Sequence, residues 1–187
     1  VLVSAAQSDM CRTSALQVVA ALAGHSEICL AIWEEAKPVL VSWDALQTAT
    51  PQDHQLRVTI LRRLAAKPLI AASVVESLAA AAARQHVPLA LLEVLMELAS
   101  RPENWVRMRT QILQALVANA SAQQTAEVRS WSWRKLAELA QQPEIRREIW
   151  EEAKFALVSA DALERGTPQD HQLRVTILSR LAAEPSI

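Results

Sequence analysis

Apolar residues recur three and four positions apart through most of the chain, in runs separated by short polar stretches that carry proline. That spacing predicts amphipathic helices, each burying one face. In the first part of the chain, 27–36 reads as one helix and 38–46 as a second, with Pro38 in a first turn where a missing N–H costs nothing. Thr50-Pro51-Gln52-Asp53 is then a start signal. Thr50 is the expected N-cap, Pro51 the first helical residue, and Asp53 the acid of a capping box with Asp in place of Glu. A third helix is predicted over 54–66, with Leu56, Ile60 and Leu64 flanked by Val58, Leu61 and Ala65. A stripe this broad predicts a helix sandwiched between neighbours.

The pattern repeats. Residues 27–70 and 144–187 align with 32 identities in 44 positions, and the twelve residues from Thr50 to Leu61 return unchanged from Thr167 to Leu178. A shorter period lies inside this duplication. The tag Leu-Ala-x-x-Pro occurs at 64–68, 98–102, 139–143 and 181–185, and Leu22-Ala23-Gly24-His25-Ser26 is a variant with Ser in place of Pro. Successive tags are 42, 34, 41 and 42 residues apart, so three short steps make up the long one. A period near 42 belongs to helical solenoids of the armadillo and HEAT class.

On these residues the unit resembles the armadillo repeat. Ser26-Glu27-Ile28-Cys29-Leu30-Ala31-Ile32-Trp33-Glu34-Glu35-Ala36 and Pro38-Val39-Leu40-Val41 look like its first and second helices. The resemblance implies one all-α domain over 1–187, a right-handed α-solenoid (superhelix) of about four armadillo-like repeats. Full units are expected at 22–63, 64–97, 98–138 and 139–180, with partial ones at 1–21 and 181–187. Two departures are visible. Armadillo units usually turn on a glycine between the first two helices, where this chain has Ala36-Lys37 and Ala153-Lys154. The unit at 64–97 is short, so its first two helices are expected to merge over 69–84 into a HEAT-like hairpin.

Composition narrows the function. Glycine occurs twice and asparagine only at Asn104 and Asn119, which argues against sheet hairpins and excludes a glycine-rich phosphate loop. Net charge is -1, which gives no hint of the basic surface that nucleic acid selects. Cys11 and Cys29 are the only thiols and make no disulfide framework, so a reducing, intracellular setting, cytoplasmic or nuclear, is expected. The most apolar stretch, 68–83, contains Glu76 and is too short for a membrane helix, and no signal peptide is visible. The chain starts at Val1, and 181–187 is no solenoid cap. It is therefore expected to be a fragment whose solenoid ends self-associate or continue into further repeats. The near-identity of the copies points to a recent duplication or a recombined or designed sequence.

In the armadillo family the third helices line a groove for extended peptides or partner helices. Nuclear-import members carry Trp and, four residues on, Asn along it. The matching positions here hold Gln17 and Ala21, Thr59 and Arg63, Glu93 and Glu97, Arg134 and Glu138, Thr176 and Arg180, with no such ladder. The resemblance thus implies a mixed-sign groove lined by Arg57, Thr59, Arg63, Glu93, Glu97, Trp131, Arg134, Glu138, Arg174, Thr176 and Arg180. Trp33 and Trp150 are equivalent and expected to pack between the first and second helices, whereas Trp43 is replaced by Ala160 in the other copy. Of Trp131 and Trp133, two apart on one helix, one is expected buried and the other a binding anchor. His54 beside Asp53, and His171 beside Asp170, suggest acid–base chemistry, but surface placement at a helix start is the stronger reading. No catalytic residue, cofactor or metal is expected, since no His or Cys pair has ligand spacing. The leading expectation is a non-enzymatic protein-binding scaffold. A structural subunit of a large assembly is the alternative, and a nucleic-acid-binding repeat module, resting on Arg57, Arg62, Arg63, Arg174 and Arg180, is the weaker rival.

Overall fold

A computed structural model describes the chain except residues 1–11, 26, 43–45, 47–48, 85–86, 122, 160–163, 165 and 184–187. Cys11, Ser26, Trp43, Ala160 and Pro185 therefore lie outside the described residues. Among those described the structure is all-helical, with no strand. The helices are α1 (Arg12–Leu22), α2 (Cys29–Val41), α3 (Pro51–Ala65), α4 (Pro68–Arg84), α5 (Leu89–Ala99), α6 (Pro102–Asn119), α7 (Ala126–Leu139), α8 (Arg146–Val158) and α9 (Pro168–Ala182), with a 3₁₀ turn at Pro143–Ile145. The chain divides into two compact units, Val1–Ala81 with Val87–Met108, and Ala82–His86 with Arg109–Ile187.

Where a new helix is expected at Pro38, α2 runs unbroken from Cys29 to Val41. Residues 43–45 of the stretch expected over 38–46 lie outside the described residues, and Leu46 beyond them is helical. The reason is local. Ala36-Lys37 offers no glycine at which to turn, and in the second copy Phe155 stands at the proline's place with nothing to break α8. Pro38 is exposed, so its ring is accommodated at the cost of one missing helical N–H. The merged helix expected over 69–84 is α4, and α5 follows it.

The start signals form as the residues dictate. The Thr50 hydroxyl accepts from the Asp53 N–H (3.2 Å), and the Asp53 carboxylate accepts from the Thr50 N–H (3.0 Å). Thr167 and Asp170 repeat the box at 3.2 and 2.9 Å. The tags end one helix and start another. Leu64 and Ala65 close α3 in the core and Pro68 opens α4, while Leu98 and Ala99 close α5 and Pro102 opens α6. A basic or amide side chain from the next segment then covers the carbonyls left open at the helix end. Lys67 donates to Gly24 O (3.2 Å), Arg101 to Ala65 O (3.0 Å), Asn104 to Leu98 O (2.9 Å) and Arg146 to Ala140 O (3.1 Å). Positive charge there also opposes the helix dipole.

In the first unit α1, α2 and α3 pack together and α5 packs on α3. The core holds Leu16, Trp33, Leu40, Ile60, Leu61, Leu64, Leu91 and Leu92. In the second unit α9 packs on α7 and α8, around Trp133, Leu136, Ile149, Leu157, Ile177 and Leu181. The bounds of α2 and α3 reappear, shifted by 117, as those of α8 and α9.

Replacing Pro38 with Ala restores the missing N–H inside α2 without opening a cavity. P38A should raise stability, by up to about 3 kcal/mol, measured by urea unfolding. Thr167→Ala should lower it by about 1 kcal/mol through loss of the cap, with Thr167→Ser close to wild type.

Candidate functional site

The duplicated polar residues converge on joints between helices. Asp53 is buried at the start of α3, and beyond its own capping box it accepts from the Thr13 hydroxyl of α1 at 2.7 Å. Asp170 is its counterpart. It accepts from Ser130 Oγ (2.5 Å) and from Arg129 Nε (2.8 Å), both on α7, in a buried ion pair. Arg12 stands in the first unit where Arg129 stands in the second, and both are buried. Burial opposes ionisation of Asp53 and Asp170, but these hydrogen bonds outweigh it and hold both carboxyls below the ordinary value.

Four candidate arginines also belong to joints. Arg57 Nε donates to Val39 O, in the last turn of α2, at 3.3 Å. Arg174 donates to Ala156 O (3.2 Å) and to Leu157 O, in the last turn of α8. Arg63 donates to Ala20 O at the end of α1, and Arg180 to Ala137 O at the end of α7. Arg57 and Arg174 are only 0% and 2% exposed, which corrects the expectation that they line an open groove. Burial pushes the Arg57 guanidinium down to about 10, despite Asp53 nearby, and Arg12 adds repulsion. Both its Nη atoms are buried and have no hydrogen-bond partner among the described residues. Arg174 is lowered by burial too, and its guanidinium lies over the Trp133 ring, 5.8 Å from the centroid.

The remaining candidates lie on helix faces. In the first unit Thr59 bonds back to Gln55 O (2.9 Å), and Glu97 of α5 pairs with Arg62 of α3 (2.7 Å) between exposed side chains. Glu93, one turn earlier on α5, is exposed. In the second unit Thr176 bonds back to Gln172 O (2.8 Å), and Glu138 pairs with Lys135 (2.6 Å) on α7. Arg134 is exposed beside them, and among the described residues neither it nor Glu93 holds an ion pair. Trp133 is buried and Trp131 half-buried, with the Lys135 ammonium 5.9 Å from the Trp131 ring centroid. Surface pairs of this kind contribute little to stability, so these side chains are open to exchange their partners.

Among the described residues His54 makes no hydrogen bond to Asp53. His54 is half-buried behind Asp53, whose oxygens are held by Thr13 and Thr50. Burial, with Arg57 close by, lowers its pKa against the pull of Asp53. Among the described residues no group of His, Cys, Asp and Glu is placed to hold a metal ion, and no helix is long and apolar enough to cross a membrane.

The reach of Asp53 and Asp170 to α1 and α7 extends the duplication beyond its visible sequence identity. The alignment from residue 27 misses it, because α1 and α7 share few residues. The available signal was a pair, Arg12-Thr13 and Arg129-Ser130, lying at the same distance before each aspartate.

These groups set the pH dependence. Asp53 and Asp170 have folded pKa values below the ordinary 3.8, so their contribution is whole above it and is lost as pH falls through the lower folded values. His54 is depressed below 6.5, so the unfolded chain takes up its proton first and stability already falls as pH drops through that value. Urea midpoints from pH 8 to 3 should therefore fall in two stages. His54→Gln should remove the first and Asp170→Asn should shrink the second. Asp170→Ala, which strands the buried Arg129, should cost about 3–5 kcal/mol at neutral pH.

In comparisons with known proteins no family model matches the chain, and no curated protein or solved structure matches it either.

Proposed function

We propose that this chain is a non-enzymatic protein-binding scaffold. Its paired helices stack as an α-solenoid of the armadillo and HEAT class, and exposed charged helix faces, that of α5 in the first unit and that of α7 in the second, each read an extended peptide or a partner helix. The observation that carries this reading is how the charged groove candidates are divided. Those repeated by the duplication, Arg57 and Arg63 with Arg174 and Arg180, are committed to joints between helices. Those that vary between segments, Glu93, Arg134 and Glu138, stand on the surface. Residues that vary on a constant frame suit recognition, and charges of both signs suit a partner with its own charge pattern. The same division weakens the nucleic-acid reading, because the arginines offered for a basic ridge bond to carbonyls or, in Arg62, to Glu97.

The test is affinity capture from native extract with wild type beside the triple variant E93K/R134E/E138K. These positions are exposed, so the variant should keep the wild-type thermal melt. It should lose at least about tenfold of the captured partner, as expected when charge complementarity is reversed at a binding face. A partner retained in full by the variant sinks the reading.

A further inference from the structure

Near the start of α3 a cluster of buried nitrogens goes unsatisfied by its neighbours. His54 Nδ1 and both Nη atoms of Arg57 are buried and have no hydrogen-bond partner among the described residues. His54 and Arg57 stand three apart on α3, so they share one face. The acceptors beside them are already engaged. Val39 O takes Arg57 Nε, and the Asp53 oxygens accept from Thr13 and from the Thr50 N–H. A guanidinium only donates, so whatever meets its Nη atoms must accept, and His54 Nδ1 can donate alongside it. The charge is unsettled too. Burial opposes it, Asp53 attracts it and Arg12 repels it. The His54 end of the cluster lies in the first turn of α3, where the helix dipole adds positive potential.

The second copy meets the same demand differently. Arg174 also keeps two buried nitrogens without a partner, Nε and Nη1. Its guanidinium, however, bonds to two carbonyls, Ala156 O and Leu157 O, and lies over the Trp133 ring. An aromatic face offsets a desolvated cation. Leu16 stands at the place of Trp133 in the first copy and gives Arg57 no such face. His171, the counterpart of His54, contributes no buried unpartnered nitrogen. The residues that bear the charge are thus identical in the two copies, and what surrounds them is not.

We propose that His54 and Arg57 form a binding site for a small monovalent anion of the halide class, buried at the joint of α1, α2 and α3. A water molecule would satisfy the N–H groups and leave the charge, whereas an anion answers both. Size follows from burial. Arg57 is 0% exposed, so a carboxylate or phosphate carried by a larger molecule does not reach it. The half-buried His54 ring is the side from which a bare ion enters. The ion would hold α3 against the end of α2 as Trp133 helps to hold α9 in the second copy. The inference goes beyond the scaffold reading and does not depend on the charged faces of α5 and α7.

The test uses the full chain with no partner present. Exchange of sodium gluconate for sodium chloride at fixed ionic strength should raise the melting temperature along a saturable curve. His54→Phe keeps a ring and removes Nδ1. It should shift the chloride midpoint upward by about tenfold, as expected when one hydrogen bond to an ion is lost. In a second measurement the wild-type chain is crystallised from sodium bromide and its anomalous scattering is mapped. A peak is expected within hydrogen-bond reach of Arg57 Nη and His54 Nδ1. Chloride-specific stabilisation that His54→Phe weakens, together with that peak, supports the proposal. Equal melts in the two salts overturn it, as does a map without the peak, because water then fills the joint. A peak without chloride-specific stabilisation, or stabilisation untouched by His54→Phe, marks an adventitious ion only and overturns it as well.

Discussion

At the third residue of α3, and again of α9, one buried carboxylate satisfies two helices at once. It closes the capping box of its own helix and accepts from a hydroxyl on a helix some forty residues earlier. A carboxylate withdrawn from water is tolerated only when its oxygens are filled, and here they are. The same helix sends two arginines the other way, one to the end of the helix just before it and one to the end of the helix on which its aspartate bonds. Each copy of the Pro-Gln-Asp-His-Gln-Leu-Arg block is thus a connector, with an anionic start and cationic turns that fix two neighbouring helices in register. Apolar packing supplies the bulk of the stabilisation, but it is non-directional and does not by itself set that register.

Much of this was legible in the residues. The Thr-Pro caps, the helix starts at Pro68 and Pro102 and the merged α4 follow from local chemistry, which acts the same way wherever the segment sits. Pro38 was misleading because the missing N–H marks a helix start only where the chain has a reason to turn, and Ala36-Lys37 gives none. Arg57 and Arg174 were misleading because a lone arginine in a helical stripe reads as surface until the carbonyls it will meet are known. Those carbonyls belong to another helix, and tertiary contacts are not visible in a local pattern.

The division between joint-bound and exposed charges bears on how such a chain changes over time. Substitution at Asp53, Arg57, Asp170 or Arg174 touches a buried joint and disturbs two helices. Substitution at Glu93, Arg134 or Glu138 touches exposed side chains, of which Glu138 alone holds an ion pair among the described residues, and such a pair is worth little to the fold. The exposed charges can therefore change on this frame without renegotiating its architecture, and the frame can be copied whole, as the duplicated segment shows.

Two identical twelve-residue segments in one chain also present a pairing problem during folding. Asp53 and Asp170 carry the same flanking residues, and Thr13 and Ser130 offer the same hydroxyl chemistry. Either aspartate can in principle meet either hydroxyl. The native pairs are 40 residues apart in sequence, whereas the exchanged pairs enclose longer loops. Loop-closure entropy favours the native choice by only roughly 0.6–1.2 kcal/mol. Most of the discrimination therefore falls to the residues in which the copies differ, with Leu16 on α1 facing the choice against Trp133 on α7. The imperfection of the repeat is what lets the chain tell its two halves apart.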